Sequence, residues 1–282
     1  MADKNYLCFT AQEANSTIQV KKSGALAPDI KLSYSLDDGV TWNDYTFSSS
    51  SSPTITLANI GNKVYFKGDG TVKAMGSAVN RQNHFTMTGK IAASGNIMSL
   101  IDPSCESIEI ENSYCFISIF DQCLSLTTAP ELPATTLGDY CYAFMFSGCT
   151  SLTQAPELPA TTLADHCYYY MFQGCTSLAS IPELPATILT PHCYESMFSL
   201  CENIGLSETQ SGKYKTVYTI PSEGIGTSGE GTNKVHGAPL GVEDGNYAKK
   251  EVYGFDHSEF FVPEEVRSHF NDVFLTRCIE KY

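Results

Sequence analysis

The chain has 282 residues, enough for two or three domains, of which 42% are hydrophobic, 11% aromatic and only 17% charged. Seventeen Lys and Arg against 31 Asp and Glu give a formal charge of −14 with no concentrated basic patch, so a phosphate backbone is repelled and nucleic-acid binding is not expected. No apolar run reaches the roughly 18 residues of a membrane-spanning helix, and the start, Met1 to Phe9, lacks the apolar core of a secretory leader.

Charge divides the chain. Between Lys90 and Lys213 there is no Lys or Arg, while thirteen acids fall in that block. This break sets three segments, 1–98, 99–206 and 207–282. The first reads as a small β-sandwich-like domain. Tyr6–Thr10, Ser16–Val20, Ile30–Ser35, Thr54–Leu57, Lys63–Lys67 and His84–Lys90 are short, rich in β-branched and aromatic residues and often alternating, which predicts strands. Ser48 to Ser52, followed by Pro53, reads as a loop. Ser35-Leu-Asp-Asp-Gly-Val-Thr-Trp42 resembles the Asp-box turns of sialidase propeller blades. A single copy does not imply a propeller, and its expected role is local: Asp caps the turn, Gly39 takes a positive φ, and Trp42, the one tryptophan, packs in the domain core.

The middle segment repeats with a period of 26. Leu126-Thr-Thr-Ala-Pro-Glu-Leu-Pro-Ala-Thr-Thr-Leu137 returns with small changes at Leu152 to Leu163 and at Leu178 to Leu189. Cys115, Cys141, Cys167 and Cys193 keep the period, as do Cys123, Cys149, Cys175 and Cys201, and Phe120, Phe146, Phe172 and Phe198. A fixed period of this size signals stacked units that share one core. Within a unit, Leu152-Thr-Gln-Ala is expected as a short strand and Cys167-Tyr-Tyr-Tyr-Met-Phe172 as a helical turn or short helix ended by Gly174. Phe146-Ser-Gly-Cys-Thr-Ser-Leu152 and Phe172-Gln-Gly-Cys-Thr-Ser-Leu178 resemble the BspA-like leucine-rich repeats, whose units run strand, turn and helical stretch. The fold class this implies is mixed α+β: an N-terminal β-sandwich, a short leucine-rich-repeat solenoid and a C-terminal extension ending in a helix.

Eight of the eleven cysteines sit on the two ladders, which favours buried free thiols. Their Cys-x7-Cys spacing does not provide the close pairs of a zinc site, so no metal is expected. In the last segment, residues 222–246 are dense in glycine. They fit neither phosphate-binding loop pattern, since Gly224-Ile-Gly226 lacks the third glycine and no Gly-Lys-Ser/Thr follows. Pro263 opens a predicted helix with Glu264 and Glu265 in its first turn and Arg277 and Lys281 in its last.

No histidine stands in a nucleophile–base pattern, and the expectation is a protein that is not an enzyme and needs no cofactor. Proteins with BspA-like repeats are surface and adhesion proteins, and a sandwich followed by such repeats resembles proteins of gut anaerobes and their phages. The resemblance therefore implies a phage virion or host-attachment component, made in the host cytoplasm and located in the virion. The alternatives are a bacterial cell-surface adhesin and a glycan-binding module. The implied partners are a protein or surface glycan, other virion proteins or a second copy, without nucleic acid or membrane insertion. Positions that change between units mark the outer face, and on it Tyr169, His166 and Glu195 form the candidate contact patch. Aromatic rings beside carboxylates suit a sugar face or a basic protein.

Overall fold

The computed structural model describes residues 5–24, 26–47 and 53–204. The chain divides into two units, Met1–Thr219 and Ile220–Tyr282, and the second lies outside the described residues. So do the Ser48–Ser52 loop, the glycine-dense stretch 222–246 and the helix expected from Pro263.

Among the described residues, ten strands form two sheets. They are β1 (Leu7–Ala11), β2 (Ser16–Lys22), β3 (Ile30–Ser35), β4 (Asn43–Phe47), β5 (Ile55–Leu57), β6 (Lys63–Gly68), β7 (Gly76–Ala78), β8 (Arg81–Thr88), β9 (Ile91–Ser94) and β10 (Leu126–Thr128). One sheet runs β10-β9-β1-β6-β3-β4 and the other β5-β2-β8-β7. All pairs are antiparallel except β10 against β9, so the larger sheet is mixed. The period-2 alternation places Leu7, Phe9 and Ala11 of β1, Ile18 and Val20 of β2, and Val64 and Phe66 of β6 inside. Phe85 bridges the layers, with ring centroids 4.9 Å from Phe9 and 5.2 Å from Phe66 in edge-on contact.

Six of these strands were legible from alternation. β10 lies where the repeat predicts a strand, and β4, β7 and β9 were not foreseen; Gly76-Ser-Ala78 and Ile91-Ala-Ala-Ser94 carry few of the bulky residues that mark a strand. The Asp-box turn forms as expected: Ser35 Oγ and the Thr41 amide both donate to Asp37. Trp42 departs from the expectation and is not in the core. Its indole N–H donates to the Gly39 carbonyl at 3.0 Å, which holds the ring at the surface against Tyr6, with the Lys67 ammonium 4.0 Å above it.

The core continues without a break from the sheets into residues 105–204. The Phe85 ring stacks on Phe120 at 5.6 Å, and Phe120, Phe146, Phe172 and Phe198 follow at 5.5 Å intervals. Each ladder thiol on one side donates to a backbone carbonyl of the level before: Cys123 to Phe85, Cys149 to Phe120, Cys175 to Phe146 and Cys201 to Phe172, at 2.9–3.1 Å. The ten described cysteines are unbridged, and Cys141, Cys149, Cys167 and Cys175 are fully buried.

The fold class is corrected here. Among the described residues there is no α-helix, only a four-residue 3-10 turn at Ile97–Leu100, and the architecture is β throughout. The leucine-rich-repeat solenoid of strand-plus-helix units does not form. Leu126–Thr128 is the one strand of the repeated segment, which otherwise has only isolated bridges, Asn96 to Glu131, Glu109 to Thr136 and Thr136 to Thr162. Leu152-Thr-Gln-Ala is not a strand, and Cys167 to Phe172 is a run of turns.

The reason lies in the backbone. Every fourth residue takes a left-handed φ: Tyr140, Phe144 and Gly148 in one level, His166, Tyr170 and Gly174 in the next. That conformation prevents α-helical i→i−4 bonding. The odd-numbered amides instead close local turns, such as Ala143 to Tyr140 and Met145 to Tyr142. The even-numbered amides of Tyr140, Tyr142, Phe144, Phe146 and Gly148 donate to the carbonyls of Asp165, Cys167, Tyr169, Met171 and Gln173 in the next level, at 2.7–3.0 Å. A left-handed Tyr or His costs about 1–2 kcal/mol, and these inter-level bonds hold it there.

Candidate functional site

The same left-handed positions build an aromatic face. With each fourth residue turned outward, Tyr114, Tyr140, His166 and His192 form one stacked column, with centroids 5.1, 4.4 and 4.5 Å apart. Phe144 and Tyr170 form a second, 5.4 Å apart. Tyr169 stands nearly perpendicular between the two, 5.2 Å from His166, 5.3 Å from Phe144 and 4.4 Å from Tyr170. Ala143, its equivalent one level earlier, is fully buried rather than outward-facing. It lies between Tyr140 and Phe144, the two rings of its level that Tyr169 touches.

The candidate patch is therefore brought together. Tyr169 and His166 are in ring contact, and Glu195 enters from the next level, its backbone carbonyl accepting from the Tyr170 amide at 3.0 Å. The Glu195 carboxylate pairs with His192 Nδ1, not with His166. His166 Nδ1 is buried without a hydrogen-bond partner. Of the three consecutive tyrosines, Tyr168 faces fully inward while Tyr169 and Tyr170 are half-buried. Burial raises the Tyr140 hydroxyl pKa, and Tyr114 and the charges of Asp139, Asp165 and Glu195 add to it. Burial also raises Tyr169, with Tyr170 and Glu195 contributing. These three carboxylates are exposed at the rim. Tyr140, Phe144 and Tyr170 also change between units and so read from the sequence as outer-face positions, but the three-residue candidate patch did not include them.

Nucleophilic chemistry has no support among the described residues. Burial pushes the Cys167 thiol up to about 12 and the Cys201 thiol up to about 11, and Cys141 and Cys149 well above the ordinary range, which makes them poor nucleophiles. Ser23 Oγ meets His84 Nδ1 at 3.0 Å, but Asp121, whose carboxyl is raised by burial, forms no ion pair with His84. No group of His, Cys, Asp and Glu able to hold a metal occurs among the described residues. A shallow cavity of about 250 Å³ is lined by Lys73, Asp102, Glu109 and Glu111.

Comparison with known proteins moves the functional reading to the other end of the chain. The family model described as transketolase, thiamine diphosphate binding domain matches residues 206–278. A transketolase of Streptococcus pyogenes serotype M6 (strain ATCC BAA-946 / MGAS10394) is 49% identical over 47 residues, 17% of this chain. The match spans 6% of that relative's length. No solved structure matches the chain. These findings overturn the BspA-like assignment and, with it, the virion, host-attachment, adhesin and glycan-binding readings. The match to a transketolase domain also runs against the expectation of a protein that is not an enzyme. The glycine-dense residues 222–246 lie within the matched stretch, and their spacing fits neither phosphate-loop pattern.

Residues 91–204 do not suit thiamine diphosphate: they offer no Lys or Arg to a diphosphate. No metal-ligand cluster occurs among the described residues, and the 250 Å³ cavity, where Lys73 faces Asp102, Glu109 and Glu111, is smaller than the roughly 300 Å³ at which ligand sites begin. The matched residues 206–278 lie beyond them.

Proposed function

We propose that this chain contributes to thiamine diphosphate-dependent catalysis of the transketolase type through residues 206–278. Residues 5–204 form the stacked β body described above and precede that segment in the chain. The observation that carries the reading is the family match over residues 206–278, supported by the 49% identity to a transketolase over 47 residues. The return of Lys and Arg after residue 212 agrees with it, because an anionic cofactor finds cations there and none in the preceding acidic block.

Calorimetric titration of the full chain with thiamine diphosphate in the presence of Mg²⁺ tests the reading, with unphosphorylated thiamine as comparison. Saturable binding that requires the diphosphate supports it. No heat with either compound at millimolar concentration, together with no transketolase activity, refutes it.

A further inference from the structure

We propose that the aromatic face of residues 114–195 is a docking surface for a Lys- or Arg-rich segment of a partner protein. This inference uses residues outside the transketolase-like stretch and does not depend on it.

Three observations converge. Asp139, Asp165 and Glu195 are exposed; the Tyr140 amide donates to the Asp165 carbonyl and the Tyr170 amide to the Glu195 carbonyl, each at 3.0 Å, and Asp139 precedes Tyr140 directly. They are therefore gathered at one place rather than spread around the molecule. No Lys or Arg lies anywhere in the stack to neutralise them, and the Glu195 carboxylate has His192 as its partner. Between these carboxylates lie Tyr140, Tyr169 and Tyr170, whose hydroxyls can accept from an ammonium or guanidinium, and whose rings offer flat apolar area for the stem of a long basic side chain.

The face also repeats along the stack. Tyr140, His166 and His192 are spaced 4.4–4.5 Å, and Asp139 and Asp165 occupy equivalent positions one level apart. The Asp165 amide donates to the Asp139 carboxylate at 3.2 Å. An extended basic segment laid along the stack meets a carboxylate at successive levels, and such a surface steers cations in from solution. The chain already pairs a cation with aromatic rings at Lys67, which sits over Trp42 and Tyr6. An anionic partner is disfavoured by the same charges.

The test uses the full chain and a labelled twelve-residue oligo-arginine peptide, followed by fluorescence anisotropy at low and at physiological salt, with oligo-glutamate as control. Two double variants remove the same net charge. Asp139→Asn with Asp165→Asn acts on the face, and Glu157→Gln with Glu183→Gln acts in the Pro-Glu-Leu-Pro stretches. The first should weaken peptide binding roughly tenfold, as two charge pairs are lost, and the second should change it less than about twofold. Tyr169→Ala should weaken it a further two- to fivefold through its ring, with the melting temperature of each variant checked against the parent. Equal weakening by both double variants would show that net charge alone attracts the peptide and would overturn the assignment. So would the absence of binding at low salt, or an affinity unaffected by Tyr169→Ala and the Asp139/Asp165 pair together.

Discussion

Removing 26 residues from the stack should harm this protein less than removing one. Deleting residues 152–177 takes out one whole period and leaves the amides of Tyr140, Tyr142, Phe144, Phe146 and Gly148 facing the carbonyls of Pro191, Cys193, Glu195, Met197 and Ser199. These now accept from His166, Tyr168, Tyr170, Phe172 and Gly174. The inward ladders rejoin like with like: Cys141 meets Cys193, Met145 meets Met197 and Phe146 meets Phe198. Deleting Tyr169 alone reverses the odd–even parity on one side of the gap. If the upstream side slips, the donors His166 and Tyr168 and the acceptors Asp165 and Cys167 lose their partners; if the downstream side slips, more bonds are lost. Four unmet buried bonds at about 1–3 kcal/mol each amount to about 4–12 kcal/mol. That is comparable to the whole stability of a domain, about 5–15 kcal/mol. Thermal melts followed by circular dichroism should show a cooperative transition for the 26-residue deletion and its loss, or a far larger downward shift, for the single deletion. If the single deletion melts at or above the temperature of the long one, the parity argument is wrong.

Phe146→Ala should cost about 3–5 kcal/mol, because the ring is fully buried between Phe120 and Phe172; at roughly 2–4 °C per kcal/mol for a unit of this size, differential scanning calorimetry should find the midpoint lowered by about 6–20 °C. Stability should also fall in alkali. Buried Cys201 and Cys167 keep their protons to about 11 and 12, while the unfolded chain releases them near 9.0. The folded pKa is raised, so the contribution is complete below pH 9 and is lost as pH rises through 11 and 12, at up to about 1.4 kcal/mol per fully buried thiol per pH unit. A urea midpoint that does not change between pH 8 and 10.5 would contradict this. Gly68→Ala should destabilise by about 1–3 kcal/mol or more, since a Cβ there would lie 2.1 Å from the Leu100 carbonyl oxygen, a backbone atom that cannot turn aside; urea denaturation would measure it.

The period of 26, the buried ladders and six strands could be read directly, because burial demands the same residue type at each level of a stack. The conformation inside each level could not. Tyr140, Phe144 and Gly148 are four apart, and that spacing reads as a helix face, whereas it marks the left-handed residues that forbid a helix. Only Gly148 and Gly174 hinted at it; His166 and Tyr170 sit in the same conformation with nothing in their chemistry to announce it. Trp42 misled for a related reason. Its size suggests a core, but its indole N–H is satisfied by a turn carbonyl at the edge of the sheet, and the core is filled by Phe9, Phe66 and Phe85 instead. At the contact face the variable positions Tyr169, His166 and Glu195 lie close together, with Tyr169 and His166 in ring contact and Glu195 one level on, whereas Ala143, the equivalent of Tyr169 one level earlier, is buried.

The two proposed ligands carry opposite charge, and salt separates them. A cationic peptide on the aromatic face is drawn by unneutralised carboxylates on a chain of net charge −14. Raising ionic strength from about 0.01 M to 0.1 M shortens the Debye length from about 30 Å to about 10 Å, which removes the longer-range attraction and leaves the direct contacts. Peptide affinity should therefore fall steeply across that range. Thiamine diphosphate is itself anionic and approaches against the same field, so screening removes a repulsion as well as any local attraction to Lys and Arg in residues 206–278. With Mg²⁺ held constant, its affinity should vary less with salt than that of the peptide. Both ligands can be titrated into one preparation of the full chain. A cofactor slope as steep as the peptide slope would show that local cations, rather than the net field, govern diphosphate binding, and would refute this last step.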